Sequence, residues 1–437
     1  MSHASRADPE PAVIPTRSIT PAQIDPDALK VARRLQRFGH LAYLVGGCVR
    51  DLLLRRTPKD FDVVTSARPA EIRKLFRNCR LIGRRFRLAH IHFRGKIIET
   101  ATFRASTPVD ENGDLLIRED NVYGSEREDA YRRDFTINAL FYDPVERQLI
   151  DYVGGLVDLV ERKVRFIGMP SIRVQEDPVR ILRAIKFASR LDFRIERATW
   201  KAVRDYRAQI HKAAAPRLIE EIVRMLRGGA AEASFRLMWE AGVLEVLLPE
   251  LSRYLSRSPE RGEERDPGSG LWAYLRAIDR SDREMLTSAV LLSAVMVHPV
   301  WDAVASQDFQ AYDIRPSSRT WGEVAKEILR PLISRIRLPR WEAERIQQLL
   351  ASQRRLFDLQ RNNPLPKALM RRAYFPEALD MFDLGVRATG KGRRTLARLQ
   401  RSYRKPAAPK ATGSEPAALT RRRGRRRRRR KSDSAPH

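Results

Sequence analysis

Two aspartates, Asp60 and Asp62, stand one residue apart in the segment KDFDVV. Successive side chains of an extended strand point to opposite faces, so a strand here would place both carboxylates on one face. Two carboxylates that close repel each other unless a cation lies between them, and Mg²⁺ favours oxygen ligands together with substrate phosphates. The pair predicts a magnesium site for nucleotide chemistry. A solvated pair at a strand end is the alternative, and the commoner meaning of so short a pattern.

The residues before this pair favour the nucleotide hypothesis. Leu41 to Val45 predict a buried strand, and Gly46 and Gly47 allow a tight turn with close approach of the backbone to a ligand. Residues 48–55 predict a short helix whose N-terminal amides face an anion. A triphosphate fits this arrangement, and we expect Arg50 to reach it.

A second constellation, RRDFTINAL at residues 132–140, sets two arginines beside Asp134. Arg133 can pair a phosphate bidentately, while Asp134 can accept from a ribose hydroxyl or complete a carboxylate cluster around the metals. An Asp cap on a helix with solvated arginines is an equally ordinary interpretation. Glu99, on a predicted strand, has the pattern of a surface glutamate but can also approach the metals. The third metal ligand is therefore open between Asp134 and Glu99.

The segment EDPVRILR, residues 176–183, predicts the start of a helix with a proline in its first turn. Residues three apart on a helix share a face, so Asp177 and Arg180 would project together, with Arg183 one turn further on. Asp177 would then accept from an exocyclic amine while Arg180 donates to the adjacent ring nitrogen. Adenine and cytosine present that order, whereas guanine and uracil invert it. The alternative is an acidic cap with an ordinary ion pair.

Two arginine-rich segments predict contact with nucleic acid. LIGRRFRLAHI, residues 81–91, combines arginines with an aromatic residue, which suits phosphate contact and base stacking, although a solvated strand edge is the ordinary meaning. RRRGRRRRRRK, residues 421–431, cannot bury a core and predicts a disordered RNA anchor. The arginines expected to contact RNA are Arg84, Arg85, Arg87, Arg425, Arg426 and Arg427.

Composition points in the same direction. The 437 residues include 84 Lys and Arg against 54 Asp and Glu, for a formal net charge of +30. Residues 421–431 supply a third of that charge, so the rest of the chain is basic as well. A surplus of this size favours a polyanionic partner, and nucleic acid is the first expectation.

The two cysteines, Cys48 and Cys79, have a spacing that builds neither a redox motif nor a zinc site. The sequence contains no long uninterrupted apolar run and no apolar core of the signal-peptide type. We therefore expect a cytoplasmic protein in a reducing compartment, without a transmembrane segment.

The pattern of apolar residues changes along the chain. Mixed strand and helix patterns up to about residue 168 predict a small α/β domain, with a short apolar helix leading to Tyr142 and a hairpin over residues 151–168. Helical spacing dominates afterwards, most clearly at residues 179–191. The expected divisions are a disordered leader (1–26), an α/β head (27–168), a helical neck (169–229), a helical RNA-binding body (230–404) and a disordered tail (405–437).

These motifs, in this order, resemble those of the class II tRNA nucleotidyltransferase and poly(A) polymerase family, within the DNA polymerase β-like superfamily. LVGGCVRDLLL with KDFDVVT is similar to the family's catalytic motif, RRDFTINAL to its ribose motif, and EDPVRILRAIKFA to its base-selecting motif. The resemblance implies a nucleotidyltransferase head with a mixed sheet, followed by an all-α neck and body. LIGRRFRLAHI and the arginine tail resemble the bacterial poly(A) polymerases rather than the CCA-adding enzymes, and the chain has no His-Asp dipeptide of a phosphohydrolase domain.

The implied activity is addition of AMP from ATP to RNA 3′ ends without a template, with release of pyrophosphate, in mRNA polyadenylation and RNA turnover. Two Mg²⁺ ions, ATP and RNA 3′ ends are the implied cofactors and partners, and recruitment by RNA-degradation machinery is left open. A CCA-adding tRNA nucleotidyltransferase and a non-catalytic RNA-binding protein are the alternatives.

Carried over by position, the metal-binding residues are Asp60 and Asp62, and a third active-site aspartate is Asp134. The nucleotide-binding residues expected from the motifs and the resemblance together are Gly46, Gly47, Arg50, Arg133, Asp177, Arg180 and Arg183.

Deletion of residues 421–431 is expected to weaken RNA binding and to flatten its dependence on salt. Each lost contact with a single-strand phosphate should reduce the slope of log K against log salt by roughly 0.7, because fewer counterions are released. Titrations of a labelled RNA at several salt concentrations measure that slope. Deletion of residues 409–419, equally long but carrying one lysine and one glutamate, is the control. An unchanged slope without residues 421–431 would show that the tail does not touch RNA.

Overall fold

A mixed sheet of eight strands dominates the N-terminal part of the chain in this computed structural model. The structure describes residues 10–83, 87–105, 122–257, 269–306, 320–359 and 364–403. In chain order the strands are β1 (Ala12–Pro15), β2 (Ala42–Val45), β3 (Asp62–Thr65), β4 (Cys79–Ile82), β5 (Leu88–Phe93), β6 (Lys96–Thr102), β7 (Leu140–Asp143) and β8 (Gln148–Asp151). Across the sheet they run β1-β8-β7-β2-β3-β6-β5-β4, and β3 and β6 are parallel while the other neighbours are antiparallel.

Short helices connect and cover the strands. They are α1 (Pro26–Arg37), α2 (Gly47–Leu53), α3 (Pro69–Leu75), α4 (Glu126–Arg132) and α5 (Gly155–Val160), with 3₁₀ turns at Pro21–Gln23 and Thr136–Asn138. Helix α1 begins where the Asp25 carboxylate accepts from the backbone N–H groups of Asp27 and Ala28. Its buried stripe, which includes Val31 and Leu35, packs on the central strands and fixes the position of β2.

Helices make up nearly all of the remaining described chain. They are α6 (Pro170–Glu176), α7 (Val179–Leu191), α8 (Arg197–Asp205), α9 (Ala215–Arg227), α10 (Ala231–Glu240), α11 (Val243–Leu247), α12 (Pro249–Ser256), α13 (Ser269–Asp279), α14 (Ser288–Ser306), α15 (Trp321–Ile336), α16 (Arg340–Phe357), α17 (Lys367–Met370), α18 (Phe375–Thr389) and α19 (Arg393–Tyr403). Two short strands, β9 (Lys163–Val164) and β10 (Arg194–Ile195), pair in parallel, and a 3₁₀ helix spans Arg207–Lys212.

The predicted fold class, a mixed α/β head followed by helices, is confirmed. Helix α7 occupies the predicted residues 179–191, because apolar residues there recur at helical spacing and are buried. The predicted tail (405–437) and the first nine residues of the leader lie outside the described residues.

The expectation of a disordered leader over residues 1–26 is wrong for its second half. Ala12–Pro15 forms the edge strand β1, which pairs with β8, and α1 begins at Pro26. The side chains of β1 are exposed, with Val13 49% accessible, so the strand is held by backbone hydrogen bonds to β8. A strand held in this way leaves no apolar alternation in the sequence.

Two other local expectations in the head are wrong. The apolar helix expected before Tyr142 is strand β7, whose residues Leu140, Phe141 and Tyr142 are all buried. A strand buried on both faces reads as a continuous apolar run, which periodicity cannot separate from a helix. In place of the hairpin after Asp151, the Asp151 carboxylate accepts from the N–H groups of Val153, Gly155 and Leu156 and so starts helix α5.

Helix α14 is the apolar centre of the body. Its window from Ser288 to Ala305 has a mean hydropathy of 1.5, and 72% of that window is buried inside the structure. It is the helix of the described chain that is long and apolar enough to cross a membrane, a test that a buried core helix also passes. It packs against α13, α15, α16 and α18, as such a core helix does.

Gly155→Ala is expected to lower the free energy of unfolding by about 3 kcal/mol, since overpacking against rigid backbone is costly. A Cβ on Gly155 would lie inside 3.0 Å of the backbone of Thr136. Gly154→Ala is the matched control, because Gly154 has φ +76° but open space around it, and strain alone should cost about 1 kcal/mol. Urea unfolding of both variants measures the difference. Equal losses would contradict the close approach of α5 to Thr136.

Candidate active site

The turn between β2 and α2 is built on a glycine that no other residue replaces without strain. Gly46 has φ +77°, and a Cβ on it would lie 3.4 Å from the guanidinium Nη1 of Arg133. Gly47 then begins helix α2, and a Cβ on Gly47 would lie 3.6 Å from Nη2 of Arg50. The sequence-based prediction of a strand, a glycine turn and a short helix is confirmed here. The turn places the backbone of Gly46 close to the Arg133 guanidinium at one end of the sheet.

The acid pair lies at the same end of the sheet. Asp62 is the first residue of β3, where it pairs with Val45 of β2 on one side and with Glu99 of β6 on the other. Asp60, two residues earlier, is exposed. Burial raises the pKa of Asp62 to about 6, as do the charges of Glu99 and Asp60, while Arg133 opposes the rise. The carboxylates of Glu99 and Asp60 therefore act on Asp62 together with Arg133, and a cation bound here would offset both burial and the like charges.

The donor set fits a hard divalent cation whose remaining ligands come from the substrate. In the part of the chain that the structure describes, no three His, Cys, Asp or Glu side chains converge closely enough to hold a metal ion. Two carboxylates with substrate phosphates and water are the usual surroundings of Mg²⁺. Glu99 is the carboxylate beside Asp62 in the sheet register, and His90 Nε2 lies 3.6 Å from its Oε1.

Asp134, expected as the third active-site aspartate, lies in a different set of contacts. Its Oδ2 accepts from Arg183 Nε at 2.7 Å, and its Oδ1 accepts from the backbone of Phe135 at 2.9 Å and from Asn138 Nδ2 at 3.2 Å. Burial alone would raise the pKa of Asp134, but the charge of Arg183 and these hydrogen bonds lower it to about 2. Both oxygens are engaged, so Asp134 anchors neighbouring groups and does not complete the carboxylate pair.

The Arg50 guanidinium lies beside Gly47 but is engaged by groups of the protein, and its expected contact with a triphosphate stays a prediction. The Arg50 side chain is 3% exposed, it donates from Nη1 to Asn138 Oδ1 at 2.6 Å, and it donates twice to Asp51 Oδ1. The guanidinium also lies 5.1 Å from the ring centre of Phe187. Arg50 projects from the buried face of α2. The sequence did not indicate this face, because so short a helix has no clear amphipathic pattern. It holds Asn138, which in turn holds Asp134.

Arg133 is the second predicted phosphate-binding arginine that lies at the glycine turn. It is 22% exposed, and it donates to Asp129 Oδ2 from Nε at 3.0 Å and from Nη2 at 2.8 Å. Its Nη1 donates to the backbone oxygen of Asn138 at 3.4 Å. The buried Asp129 was missed in the sequence, although its i,i+4 spacing to Arg133 on α4 was the available signal.

The expected pair of Asp177 and Arg180 does not form. Arg180 is 6% exposed and donates from Nη1 to Glu176 Oε2 at 2.6 Å and to the Arg173 carbonyl at 2.8 Å. Helix α6 ends at Glu176 and α7 starts at Val179, so Asp177 lies in the break with extended backbone at φ −151°. Asp177 accepts from the backbone N–H of Val179 at 3.3 Å, as in the acidic-cap alternative. The side chains of Asp177 and Arg180 have different partners, and their joint role in base selection stays a prediction.

Asp177 pairs instead with Arg217 of α9. Arg217 donates from Nη1 to Asp177 Oδ1 at 2.9 Å and from Nη2 to Oδ2 at 2.7 Å. The two side chains are 44% and 19% exposed, respectively, so the pair is open to solvent. Arg217 was missed because it stands forty residues away in the sequence, and no local pattern connects the two.

Arg183 pairs with Asp134 of the head. Burial alone would lower the pKa of Arg183, but the charges of Asp134, Glu221 and Asp177 raise it. Besides Asp134, it approaches Glu221 of α9, with Nη1 3.5 Å from Oε1. Glu221 also accepts from Lys186, whose pKa burial lowers to about 8. Neither Glu221 nor Lys186 carried a signal in the sequence.

The predicted RNA-contacting arginines are only partly within the described chain. Arg87 is described and exposed beside β5. The others, Arg84, Arg85, Arg425, Arg426 and Arg427, lie outside the described residues.

Two family models match the chain. Residues 42–165 match the model described as the Poly A polymerase head domain, and residues 192–255 match the model described as the probable RNA and SrmB-binding site of polymerase A. The first range contains the glycine turn, the acid pair, Asp134 and Arg133. The second contains Arg217 and Glu221.

Relatives and solved structures agree with these matches. Poly(A) polymerase I of Haemophilus influenzae is 41% identical over 294 residues, which are 65% of this chain and 65% of that protein. Poly(A) polymerase I of Escherichia coli O157:H7 is 44% identical over 271 residues, which are 59% and 58% of the two chains. The matches therefore span less than two thirds of these relatives. The Bacillus stearothermophilus CCA-adding enzyme in complex with CTP has the same fold, with a TM-score of 0.57, 23% identity, and coverage of 87% of this chain and 83% of that one.

Asp134→Asn is expected to lower the free energy of unfolding at neutral pH by on the order of 2 kcal/mol. The pKa of Asp134 is about 2 in the folded protein, against an ordinary 3.8. Since the folded-state pKa is depressed, the stabilisation is fully present above 3.8 and is lost as the pH falls through about 2. Urea unfolding of wild type and variant at several pH values between about 7 and 3 measures this.

The difference in the free energy of unfolding between the wild type and Asp134→Asn should decrease as the pH falls below the ordinary pKa of 3.8. Asp282→Asn, which alters an exposed aspartate, is the control and should show little difference at any pH. A gap for Asp134→Asn that stays constant down to pH 3 would contradict the assigned ion pair.

Proposed function

We propose that the chain is a polynucleotide adenylyltransferase, because residues 42–165 match the family model of the poly A polymerase head domain. It adds AMP from ATP to RNA 3′ ends without a template and releases pyrophosphate, in mRNA polyadenylation and RNA turnover. The observation that carries the proposal is one constellation at the end of the sheet: the Gly46 turn, Arg133 beside it, and the acids Asp60 and Asp62.

Asp60 and Asp62 are the residues that would hold Mg²⁺, with Glu99 the nearest further carboxylate in the sheet. The raised pKa of Asp62 supports this assignment, because a bound cation would offset both burial and the like charges. When bound, two such ions supply Lewis acidity to the 3′-hydroxyl and neutralise charge on the leaving phosphates.

The remaining chemistry is positioning. The RNA 3′-oxygen forms a bond to the α-phosphorus of ATP, the bond from that phosphorus to the bridging oxygen breaks, and pyrophosphate leaves while the hydroxyl proton passes to solvent. Arg133, fixed by Asp129, steadies the triphosphate over the side-chain-free surface of Gly46. Arg50 and Asp134 have no nucleotide contact in this proposal, and both support the site through Asn138.

A CCA-adding tRNA nucleotidyltransferase is the second candidate, favoured by the shared fold with the Bacillus stearothermophilus enzyme. Asp177 presents a carboxylate to the exocyclic amine of either adenine or cytosine, so it does not separate the two activities. The Haemophilus influenzae and Escherichia coli relatives support the polymerase. A non-catalytic RNA-binding protein is disfavoured, because such a protein has no physical need for Asp60 and Asp62 side by side. A cytoplasmic location and recruitment by RNA-degradation machinery accompany the proposal.

Incubation with a short unstructured RNA and each nucleotide separately tests the proposal. We expect a ladder of products with ATP. In Asp60→Asn and Asp62→Asn the rate of AMP addition should fall by on the order of a thousandfold, since several kcal/mol of charge stabilisation in the transition state disappear. The RNA affinity of both variants should remain close to that of the wild type, because carboxylates make no attractive contact with RNA phosphates. Asp282→Asn, which changes an exposed acid in the body, should extend RNA normally.

The alternatives give different products. Incorporation of CTP into tRNA that lacks its 3′ end, without a ladder from ATP, would replace the polymerase with the CCA-adding enzyme. RNA binding without incorporation of any nucleotide would favour the non-catalytic protein. Full turnover by either aspartate variant would remove the metal assignment.

A further inference from the structure

The ion pair between Asp177 and Arg217 occupies the carboxylate that the sequence assigns to base selection. Each Nη of Arg217 donates to a different oxygen of Asp177, at 2.9 Å and 2.7 Å. The backbone N–H of Val179 donates to Oδ1 at 3.3 Å and further fixes the plane of the carboxylate. Arg217 extends from the first turn of α9, which starts at Ala215 with a proline at its second position. The carboxylate is thus held in one orientation with one edge covered.

Arg180 cannot substitute for this contact in the observed arrangement. Its side chain is 8% exposed, and its Nη1 is committed to Glu176 and to the Arg173 carbonyl. Among the described residues, the cation in direct contact with the Asp177 carboxylate is therefore Arg217.

A free carboxylate binds guanine better than adenine. Guanine presents two donors in parallel, N1–H and N2–H, which match the two oxygens of one carboxylate. Adenine offers a single donor group, its N6 amine, beside an acceptor. Each carboxylate oxygen has two lone-pair directions, so an oxygen already engaged by arginine can still accept one amine hydrogen. The two oxygens can no longer accept together, in a bidentate hydrogen bond, along the edge that the arginine covers.

We propose that Arg217 is a positioning residue that excludes guanine nucleotides. By bridging both oxygens of Asp177, it blocks the edge that would bind the two donors of guanine and leaves lone pairs for the amine of adenine. This inference rests on the proposed function, in which Asp177 contacts the incoming base. Specificity then has two sources: Arg217 occupies the carboxylate edge that guanine would bind, and the carboxylate makes a favourable contact with adenine.

The test compares GTP and ATP use by Arg217→Ala, Arg217→Lys and wild type, as kcat/KM with one RNA primer. In Arg217→Ala the GTP to ATP ratio should rise by about tenfold, the worth of one charge-assisted hydrogen bond. Arg217→Lys keeps the charge but offers a single donor point, so its ratio should rise less. Arg340→Ala, which removes an exposed arginine paired with Glu344 in the body, is the matched control and should leave the ratio unchanged.

The double variant Arg217→Ala with Asp177→Asn separates the assigned role from a purely structural one. If the gained use of GTP depends on the bare carboxylate, it should disappear in the double variant. Equal falls for ATP and GTP in Arg217→Ala, with the ratio unchanged, would overturn the inference and leave Arg217 a structural residue. Should Arg217→Ala fail to fold, the smaller shift in Arg217→Lys carries the same decision.

Competition of GTP and ATP against a fluorescent ATP analogue gives a second measurement that needs no catalysis. The ratio of affinities should shift in the same direction as the ratio of kcat/KM. Failure of the wild type to extend RNA would count against the proposed function. A wild type that adds AMP, together with Arg217 variants whose ratios do not move by either measurement, would count against this inference alone.

Discussion

The partly buried ion pair between Asp134 and Arg183 is the constraint on which the site depends. It joins the head, through the segment after α4, to the neck, through α7. Burying two opposite charges is costly unless their hydrogen-bonding capacity is met, and the contacts of Asp134 meet it on both oxygens. The chain of side-chain contacts that shares this pair runs through Asp51, Arg50, Asn138, Asp134, Arg183, Glu221 and Lys186.

The contrast between Asp134 and Asp62 shows how one small domain gives two aspartates different work. Burial pushes the pKa of each upward, yet Asp134 ends at about 2 and Asp62 at about 6. The difference is the neighbourhood, since Arg183 lies against Asp134, whereas Glu99 and Asp60 lie near Asp62. The ion pair with Arg183 makes Asp134 an anchor between two segments, whereas Asp62 has like charges beside it and remains the candidate metal ligand.

The sequence predicted those features that depend on local pattern. The glycine turn, a strand at Asp62 and the bounds of α7 follow from residue type and periodicity over a few positions, although Asp60 lies before the strand. The sequence did not give the partners that long-range contacts decide. Arg50 bonds Asn138 across 88 residues, and Asp177 meets Arg217 across 40. The edge strand β1 failed for the same reason, because its partner β8 lies far along the chain. Motifs identified which residues matter better than they identified what those residues touch.

The break between α6 and α7 links Asp177 to the partly buried pair of Asp134 and Arg183. A continuous helix would have carried Asp177 and Arg180 on one face, but Pro178 lacks an N–H and interrupts the helical hydrogen bonds, so Asp177 is released towards Arg217. Helix α7 starts immediately afterwards, and little more than one turn later Arg183 reaches Asp134. Helix α9 supplies both Arg217 and Glu221, so the same two helices hold the Asp177 carboxylate and the head-to-neck anchor. A shift of α9 that disturbs one contact must therefore disturb the other, because a helix moves as a rigid element.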